Sequence, residues 1–233
     1  MLIIIFSIAF AVFFVAPPLL SGQFGPYPLM KMGAALDVLT PLVLIPLYWL
    51  LYRMNENKTQ NISWIIFFLV FAAFWVEGQG MHLSANSIGH LLKGMEGDPD
   101  FIGAYALTNF YDESLSHYLW HFGIVGLSAM LILRQWRNPL IQERAVPWLE
   151  SLAGVIYGFT FFLLVIEGGT PPLGLPFAIL AVLFIVVWGR KKLWQQSLLT
   201  FFFVAYLVAV ILFASWAIYW HGLPQFSQVG IID

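Results

Sequence analysis

Histidines and polar partners recur every four residues in two neighbouring stretches of the chain. The two series are His82, Asn86, His90 and Glu113, His117, His121. Residues four apart lie on one face of a helix, so each series would form a ladder of side chains. The two ladders hold four of the five histidines of the chain. Imidazole nitrogens beside carboxylates are typical ligands of zinc, iron and copper, and the pattern therefore predicts a metal site.

The composition indicates where these ladders lie. Of the 233 residues, 61% are hydrophobic and only 9% are charged, and the mean hydropathy is +0.84. An ordinary soluble domain carries roughly 25% charged residues. We therefore expect an all-α, polytopic membrane protein. Cysteine is absent, so a thiolate site is excluded, and the net charge of −2 gives no indication of nucleic-acid binding.

Apolar stretches near the length that spans a bilayer, about 20 residues, predict a single bundle of seven transmembrane helices over residues 1–233. The predicted helices are 2–20, 36–52, 62–83, 114–133, 148–166, 173–188 and 198–220. The first is interpreted as a retained helix because it lacks the basic flank of a signal peptide. The longest connection, residues 93–111, separates the ladders and would either cover the site or act as a plain connector.

The basic residues predict the orientation, because Lys and Arg in short loops stay cytoplasmic. Only Lys31 and Lys93 fall in the loops after the first, third and fifth helices. The loops after the second, fourth and sixth hold the other eight, namely Arg53, Lys58, Arg134, Arg137, Arg144, Arg190, Lys191 and Lys192. We expect a cytoplasmic N-terminus, with the C-terminus and the metal site toward the outer side.

A rise of about 1.5 Å per residue places several ionisable side chains at one depth, in the outer half of a hydrocarbon core of about 30 Å. They are Asp37, Glu77, His82, Glu113, His117, His121 and Glu167. Such groups cost a few kcal/mol each in a bilayer and normally face the bundle interior. A shared polar cavity is therefore predicted. His90 and His221 fall above the membrane by the same count and are weaker candidates.

The candidate site combines imidazoles and carboxylates from several helices. The predicted metal ligands are His82, His117, His121, Glu113, Asp37 and Glu167. A carboxylate that does not bind the metal would orient an imidazole, and Glu77 or Glu113 would act as the general base. Zinc, iron and copper stay open, as do a metal-free polar network and haem ligation.

Two short motifs resemble motifs of the CREST superfamily, which includes alkaline ceramidases and the progestin and adiponectin-type receptors. Asn86-x-x-x-His90 is similar to one motif and His117-x-x-x-His121 to another. In that superfamily the H-x-x-x-H pair lies on the last helix, whereas here it lies on the fourth, and Leu83 stands where the family has Glu. The resemblance implies a zinc amidohydrolase that acts on a lipid.

The leading hypothesis is an intramembrane metal-dependent enzyme that takes a lipid-like or small apolar substrate. Zinc would support hydrolysis, and iron or copper an oxygen-dependent oxidation. The alternative is a non-enzymatic membrane protein: a metal-ion or proton pathway, a haem or quinone subunit, or a structural subunit of a larger membrane complex. The inner half of the predicted bundle is almost wholly apolar, which favours a one-sided site over a path through the membrane.

Overall fold

The structure, a computed structural model, describes residues 1–54, 62–95, 97–139 and 146–231. Within these ranges the regular structure is helical, apart from one short antiparallel hairpin before the second helix. The elements are α1 Leu2–Val15, β1 Gln23–Phe24, β2 Tyr27–Lys31, α2 Met32–Met54, α3 Ile62–Leu92, α4 Ile102–Asn109, α5 His117–Arg137, α6 Pro147–Glu167, α7 Pro171–Phe184 and α8 Ser197–Trp220. Wider π-helical turns run over Phe110–Ser116 and Ile185–Gly189, and 3₁₀ turns over Pro17–Leu19 and Ser227–Val229.

The all-α bundle expected from the composition is confirmed, and the protein is a multi-pass membrane protein. Six helical segments of the described ranges are long and apolar enough to cross a membrane: Met32–Met54, Ile62–Leu92, Ile102–Arg137, Pro147–Glu167, Pro171–Gly189 and Ser197–Trp220. α1 has 14 residues and ends before residue 20, because a Pro-Pro pair follows it. At about 1.5 Å per residue it is only about 21 Å long.

Helices around the ladders extend further than their apolar cores indicate. α3 continues to Leu92 instead of ending near residue 83, and the next helical segment begins at Ile102 instead of residue 114. Much of the predicted connection is therefore helix, in which α4 passes through the π turn into α5. Hydropathy identifies only the apolar part of a helix, so polar turns at its ends are missed. The C-terminal ends of α3, α6 and α8 lie at the same end of the bundle. We call this the histidine end.

α3 and α5 lie in backbone contact. A methyl group on Gly78 would meet the Trp120 amide and come within 2.6 Å of the Ser116 carbonyl oxygen, and one on Gly123 would lie 2.7 Å from the Trp75 nitrogen. Small residues permit such close approach of membrane helices. Since the helices are antiparallel, the next turn of α3 after Gly78 faces the turn of chain before Ser116. This register sets which side chains meet at the histidine end.

A polar group lies in the aromatic core, where the sequence predicted an apolar interior. The Tyr48 hydroxyl lies 2.8 Å from the Tyr157 hydroxyl and 3.1 Å from Ser128 Oγ, and the latter two are 3.2 Å apart. All three residues are fully buried. Ser128 is seven residues beyond His121, about 10 Å deeper into the bundle. The three hydroxyls, which we call the tyrosine network, satisfy one another and so avoid the cost of unpaired burial.

Candidate functional site

The structure brings together three of the histidines that the sequence predicted as ligands. His82 on α3 lies against His117 on α5, with ring centroids 4.8 Å apart, and His117 lies 5.9 Å from His121 with the two rings within 7° of parallel. Trp120 contacts all three rings at centroid distances of 5.6, 5.3 and 4.9 Å. We call His82, His117 and His121 the histidine cluster. Its members come from two helices whose register follows from the α3–α5 contact.

Two imidazoles of the cluster face oxygens at the start of α5. His82 Nδ1 lies 2.8 Å from Asp112 Oδ1, with both side chains largely buried. His117 Nδ1 lies 3.2 Å from the Glu113 carbonyl oxygen. A proton on His117 Nδ1 would donate to the Glu113 carbonyl oxygen, whereas His82 Nδ1 and Asp112 Oδ1 are close but lack hydrogen-bond geometry. Oxygens beside Nδ1 are the arrangement that orients histidines in metal sites.

The third imidazole is held by the turn between α6 and α7. His121 Nδ1 lies 2.5 Å from the Thr170 hydroxyl oxygen, and both residues are buried. A methyl group added to Gly168 would lie 2.5 Å from His121 Cε1, so only glycine leaves room for this ring. His121 Nε2 is buried and has no hydrogen-bond partner in the described part of the chain. All three Nδ1 atoms of the cluster therefore face an oxygen, while one Nε2 is an unpaired buried nitrogen.

Asp112 and Thr170 were not predicted as site residues. The i, i+4 spacing of an α-helix predicts Glu113 as the partner of His117. Residues 110–116 instead form a π turn, which holds more residues per turn than an α-helix. The wider turn brings Asp112 to His82. The adjacent acidic pair was the only sequence signal for Asp112. Thr170 lies 49 residues from His121, and no local pattern indicates their contact.

The predicted carboxylates are dispersed. The side chains of Asp37 and His82 are close enough to interact electrostatically. Glu77 is exposed, and no described hydrogen bond or ion pair joins it to the cluster. The Glu113 carboxylate is exposed beside a cavity, and Glu167 Oε2 accepts a hydrogen bond from the Phe226 amide at 3.0 Å. In the described ranges no group of three or more His, Cys, Asp or Glu side chains is arranged to hold a metal ion.

The two weaker histidine candidates lie outside the cluster. His90 is exposed, and its Nε2 lies 3.2 Å from Lys31 Nζ. His221 is exposed directly after α8, with a positive φ of 53°. The Asn86-x-x-x-His90 motif therefore contributes no imidazole to the cluster. Of the two motifs behind the family resemblance, only His117-x-x-x-His121 belongs to the site.

Two open cavities at the histidine end are lined in part by Glu113, and one of them also by Asp112, the residues whose oxygens face the cluster. The larger, about 610 Å³, has the polar lining side chains Asn109, Glu113, Ser114, Gln225, Ser227 and Gln228. The smaller, about 260 Å³, has the polar lining side chains Asn86, His90, Lys93, Tyr105, Thr108, Asn109, Asp112 and Glu113. Both include Glu113, whose carbonyl oxygen faces His117. The cluster is thus adjacent to space that a polar molecule can enter.

The structure defines the chain as a multi-pass helical membrane protein with a histidine cluster beneath polar cavities at one end. No family model matches the sequence, and neither a curated protein nor a solved structure shows significant similarity to it. A functional proposal therefore depends on the site itself.

Proposed function

We propose that the protein is an intramembrane metal-dependent hydrolase in which His82, His117 and His121 bind zinc through their Nε2 atoms. The observation that carries this proposal is the common environment of the three Nδ1 atoms. Each faces an oxygen, from Asp112, from the Glu113 backbone or from Thr170. Histidines that bind metals almost always have their second nitrogen oriented in this way.

The spacing of the rings supports the same proposal. Two imidazoles bound through nitrogen to one tetrahedral zinc, at about 2.0–2.1 Å, have ring centres about 5 Å apart. The His82–His117 distance of 4.8 Å agrees with this value, and the His117–His121 distance of 5.9 Å is somewhat longer. Metal binding would require the rings to turn their Nε2 atoms toward a common point.

The available donors favour zinc over iron. Di-iron sites in helical bundles use several carboxylate ligands together with histidines from four helices. Here Glu77 is exposed and Glu167 accepts from the Phe226 amide, so neither carboxylate is placed at the cluster. Three imidazoles with an open fourth position are instead a catalytic zinc arrangement. Copper also accepts imidazole ligands, and metal analysis separates the two.

The surrounding residues suggest roles for the acidic side chains. Asp112 would orient His82 and increase its basicity as a ligand. When bound, zinc would supply a Lewis acid and a water that ionises near neutral pH. Glu113 lies at the cavity edge next to the turn that holds His117, and we propose it as the general base. Asp37 would contribute negative charge near His82. Glu77, the other base predicted from the sequence, makes no contact with the described residues that would support that role.

The substrate would be lipid-like and would enter from the outer side, the orientation that the Lys and Arg distribution predicts. The larger cavity has mostly polar lining side chains, which suit the headgroup of an amphiphile better than a small apolar molecule. The transmembrane helices next to it expose apolar side chains such as Tyr118 and Phe122, which are 41% and 42% exposed. A lipid could therefore keep its chains in the bilayer while its headgroup reaches the cluster.

A second candidate function is a proton pathway, in a transporter or in a subunit of a larger membrane complex. It is favoured by the direct His82–Asp112 contact and by the absence, in the described ranges, of a ready-made ion-binding group. Imidazoles in contact can pass protons, and the tyrosine network lies deeper in the same bundle. Acid-driven proton flux in liposomes would support this function.

Metal analysis tests the leading proposal. We expect about one zinc per chain in detergent-purified protein and in the control His221→Asn, since His221 lies outside the cluster and asparagine tolerates a positive φ. The His117→Ala, His121→Ala double variant should lose the zinc and the release of water-soluble product from labelled lipid. Wild-type protein without stoichiometric metal, together with unchanged behaviour of the double variant, would overturn the proposal. A Soret band would instead indicate haem.

A further inference from the structure

The larger cavity is lined by three parts of the chain, of which the turn between α6 and α7 contributes Gly169 and Pro171. Asn109, Glu113 and Ser114 form one side, at the junction of α4 and α5. Segment 222–231, which follows α8, forms the facing side with Gln225, Ser227 and Gln228. At about 610 Å³ the cavity lies within the usual size range of ligand pockets, about 300–1,000 Å³.

Segment 222–231 is held firmly against the bundle. The Phe226 amide donates to Glu167 Oε2 at 3.0 Å, and Gln225 Nε2 donates to the Glu167 carbonyl oxygen at 2.8 Å. Trp216 Nε1 donates to the Pro224 carbonyl oxygen at 3.0 Å. The Phe226 ring is buried 4.9 Å from the ring of Trp216. The facing side of the cavity is therefore a preformed wall, positioned by a carboxylate that the sequence had predicted as a metal ligand.

The lining offers both donors and acceptors of hydrogen bonds and carries one negative charge. Gln228 Oε1 already accepts from the Gln225 amide at 3.0 Å, which leaves the Gln228 amino group as a donor. Gln225 uses its amino group on Glu167, which leaves its side-chain carbonyl as an acceptor. Asn109 and the hydroxyls of Ser114 and Ser227 can do both. Glu113 can only accept when ionised.

This set of side chains discriminates between lipid headgroups. The described lining contains no Lys, Arg or His, the residues that bind phosphate, and Glu113 would repel an anion. Hydroxyl groups both donate and accept, so an uncharged headgroup with several of them can pair with amides, serine hydroxyls and a carboxylate at once. An ammonium headgroup has donors but no acceptor, so it would pair with Glu113 and the amide oxygens and leave the Gln228 amino group without a partner.

We propose that this cavity binds an uncharged, hydroxyl-rich lipid headgroup, a glycosyl or polyol group. The inference rests on the proposed function only in identifying that lipid as the substrate. Binding itself requires the cavity and no metal. With the headgroup between α5 and segment 222–231, the bond next to it would lie beside Glu113 and the histidine cluster.

Binding can be measured in phosphatidylcholine nanodiscs. The probe is tritiated monoglucosyl diacylglycerol, and the competitors are unlabelled phosphatidylglycerol and sphingosine, which carry an anionic and a cationic headgroup. We expect saturable binding of the glucosyl lipid and no effective competition from either charged lipid. Asn109→Ala and Gln228→Ala should each weaken binding by about tenfold, the effect of one or two lost hydrogen bonds. The control Ser87→Ala changes an α3 hydroxyl outside the lining that bonds to the Leu83 carbonyl, and should bind normally.

The outcomes separate this inference from the metal proposal. Chelator-treated protein should keep the probe even though it holds no zinc, so loss of metal and loss of binding are independent results. Absence of saturable binding, equal competition by phosphatidylglycerol, or displacement by sphingosine alone would each overturn the inference. The thermal stability of the Asn109→Ala and Gln228→Ala proteins, compared with wild type, shows whether weaker binding arises at the cavity. Unchanged affinity in both stable variants would also overturn it.

Discussion

His82 on α3 and Asp112 at the start of the α5 region form the closest charged contact of the candidate site, with Nδ1 and Oδ1 2.8 Å apart. The two side chains are only 20% and 13% exposed, so water screens their interaction weakly. The contact joins neighbouring helices at the point where their glycine-lined interface ends. It therefore links the packing of the bundle to the orientation of an imidazole.

Asp112→Asn tests the orienting role of the carboxylate. The amide keeps the size of the side chain but removes its charge, and zinc affinity should fall by about 10–100-fold, as is usual when a partner of a metal-bound histidine is changed. A competitive chelator titration measures this affinity. The control Asp100→Asn changes an exposed carboxylate in the turn before α4 and should have no effect. Equal affinities of the two variants would contradict the assigned role.

Gly78→Ala tests the α3–α5 contact. The added methyl group would meet the Trp120 amide and the Ser116 carbonyl, and overpacking of this kind costs about 1–3 kcal/mol. We expect a lower thermal midpoint in detergent. Gly80→Ala is a matched control on the same helix, because a methyl group there meets nothing within 4 Å. If both variants have the same thermal midpoint as wild type, the helices are further apart than the structure places them.

Thr170→Val removes the oxygen that faces His121 and preserves the shape of the side chain. Since His121 is 1% exposed, its Nδ1 would become an unpaired buried nitrogen, at a cost of about 1–3 kcal/mol in unfolding free energy. Steric trapping or denaturant titration measures the loss. Thr160→Val is the control, because the described hydrogen bond of that buried hydroxyl goes to the Ile156 carbonyl of its own helix. A larger loss for Thr160→Val would argue against the His121 contact.

Tyr157→Phe tests the tyrosine network. The change leaves Tyr48 and Ser128 paired with each other and should cost about 0.5–1.5 kcal/mol, the net value of a buried hydrogen bond. Tyr219→Phe, at a residue 74% exposed, should leave stability unchanged. The same variants reconstituted in liposomes report on the second candidate function. A proton pathway through the network requires lower flux in Tyr157→Phe, whereas a one-sided enzyme predicts no flux in either protein.

The sequence by itself determined the class of fold and much of the histidine cluster. Hydropathy acts over about 20 neighbouring residues, and the four-residue spacing of His117 and His121 is a property of one helix, so both features can be read locally. The prediction that His82 lies next to that pair follows from the antiparallel arrangement of two helices that are adjacent in the sequence. The structure agrees with it at a centroid distance of 4.8 Å.

Only the tertiary structure decided which oxygens serve the imidazoles. The π turn at residues 110–116 presents Asp112 to His82, and the turn after α6 presents Thr170 to His121. Glu77 is exposed, and Glu167 anchors segment 222–231 instead of joining the cluster. The rotation of a helix about its axis and the approach of distant turns depend on close packing at glycines such as Gly78 and Gly168. Those contacts join residues far apart in the chain, so local periodicity does not encode them.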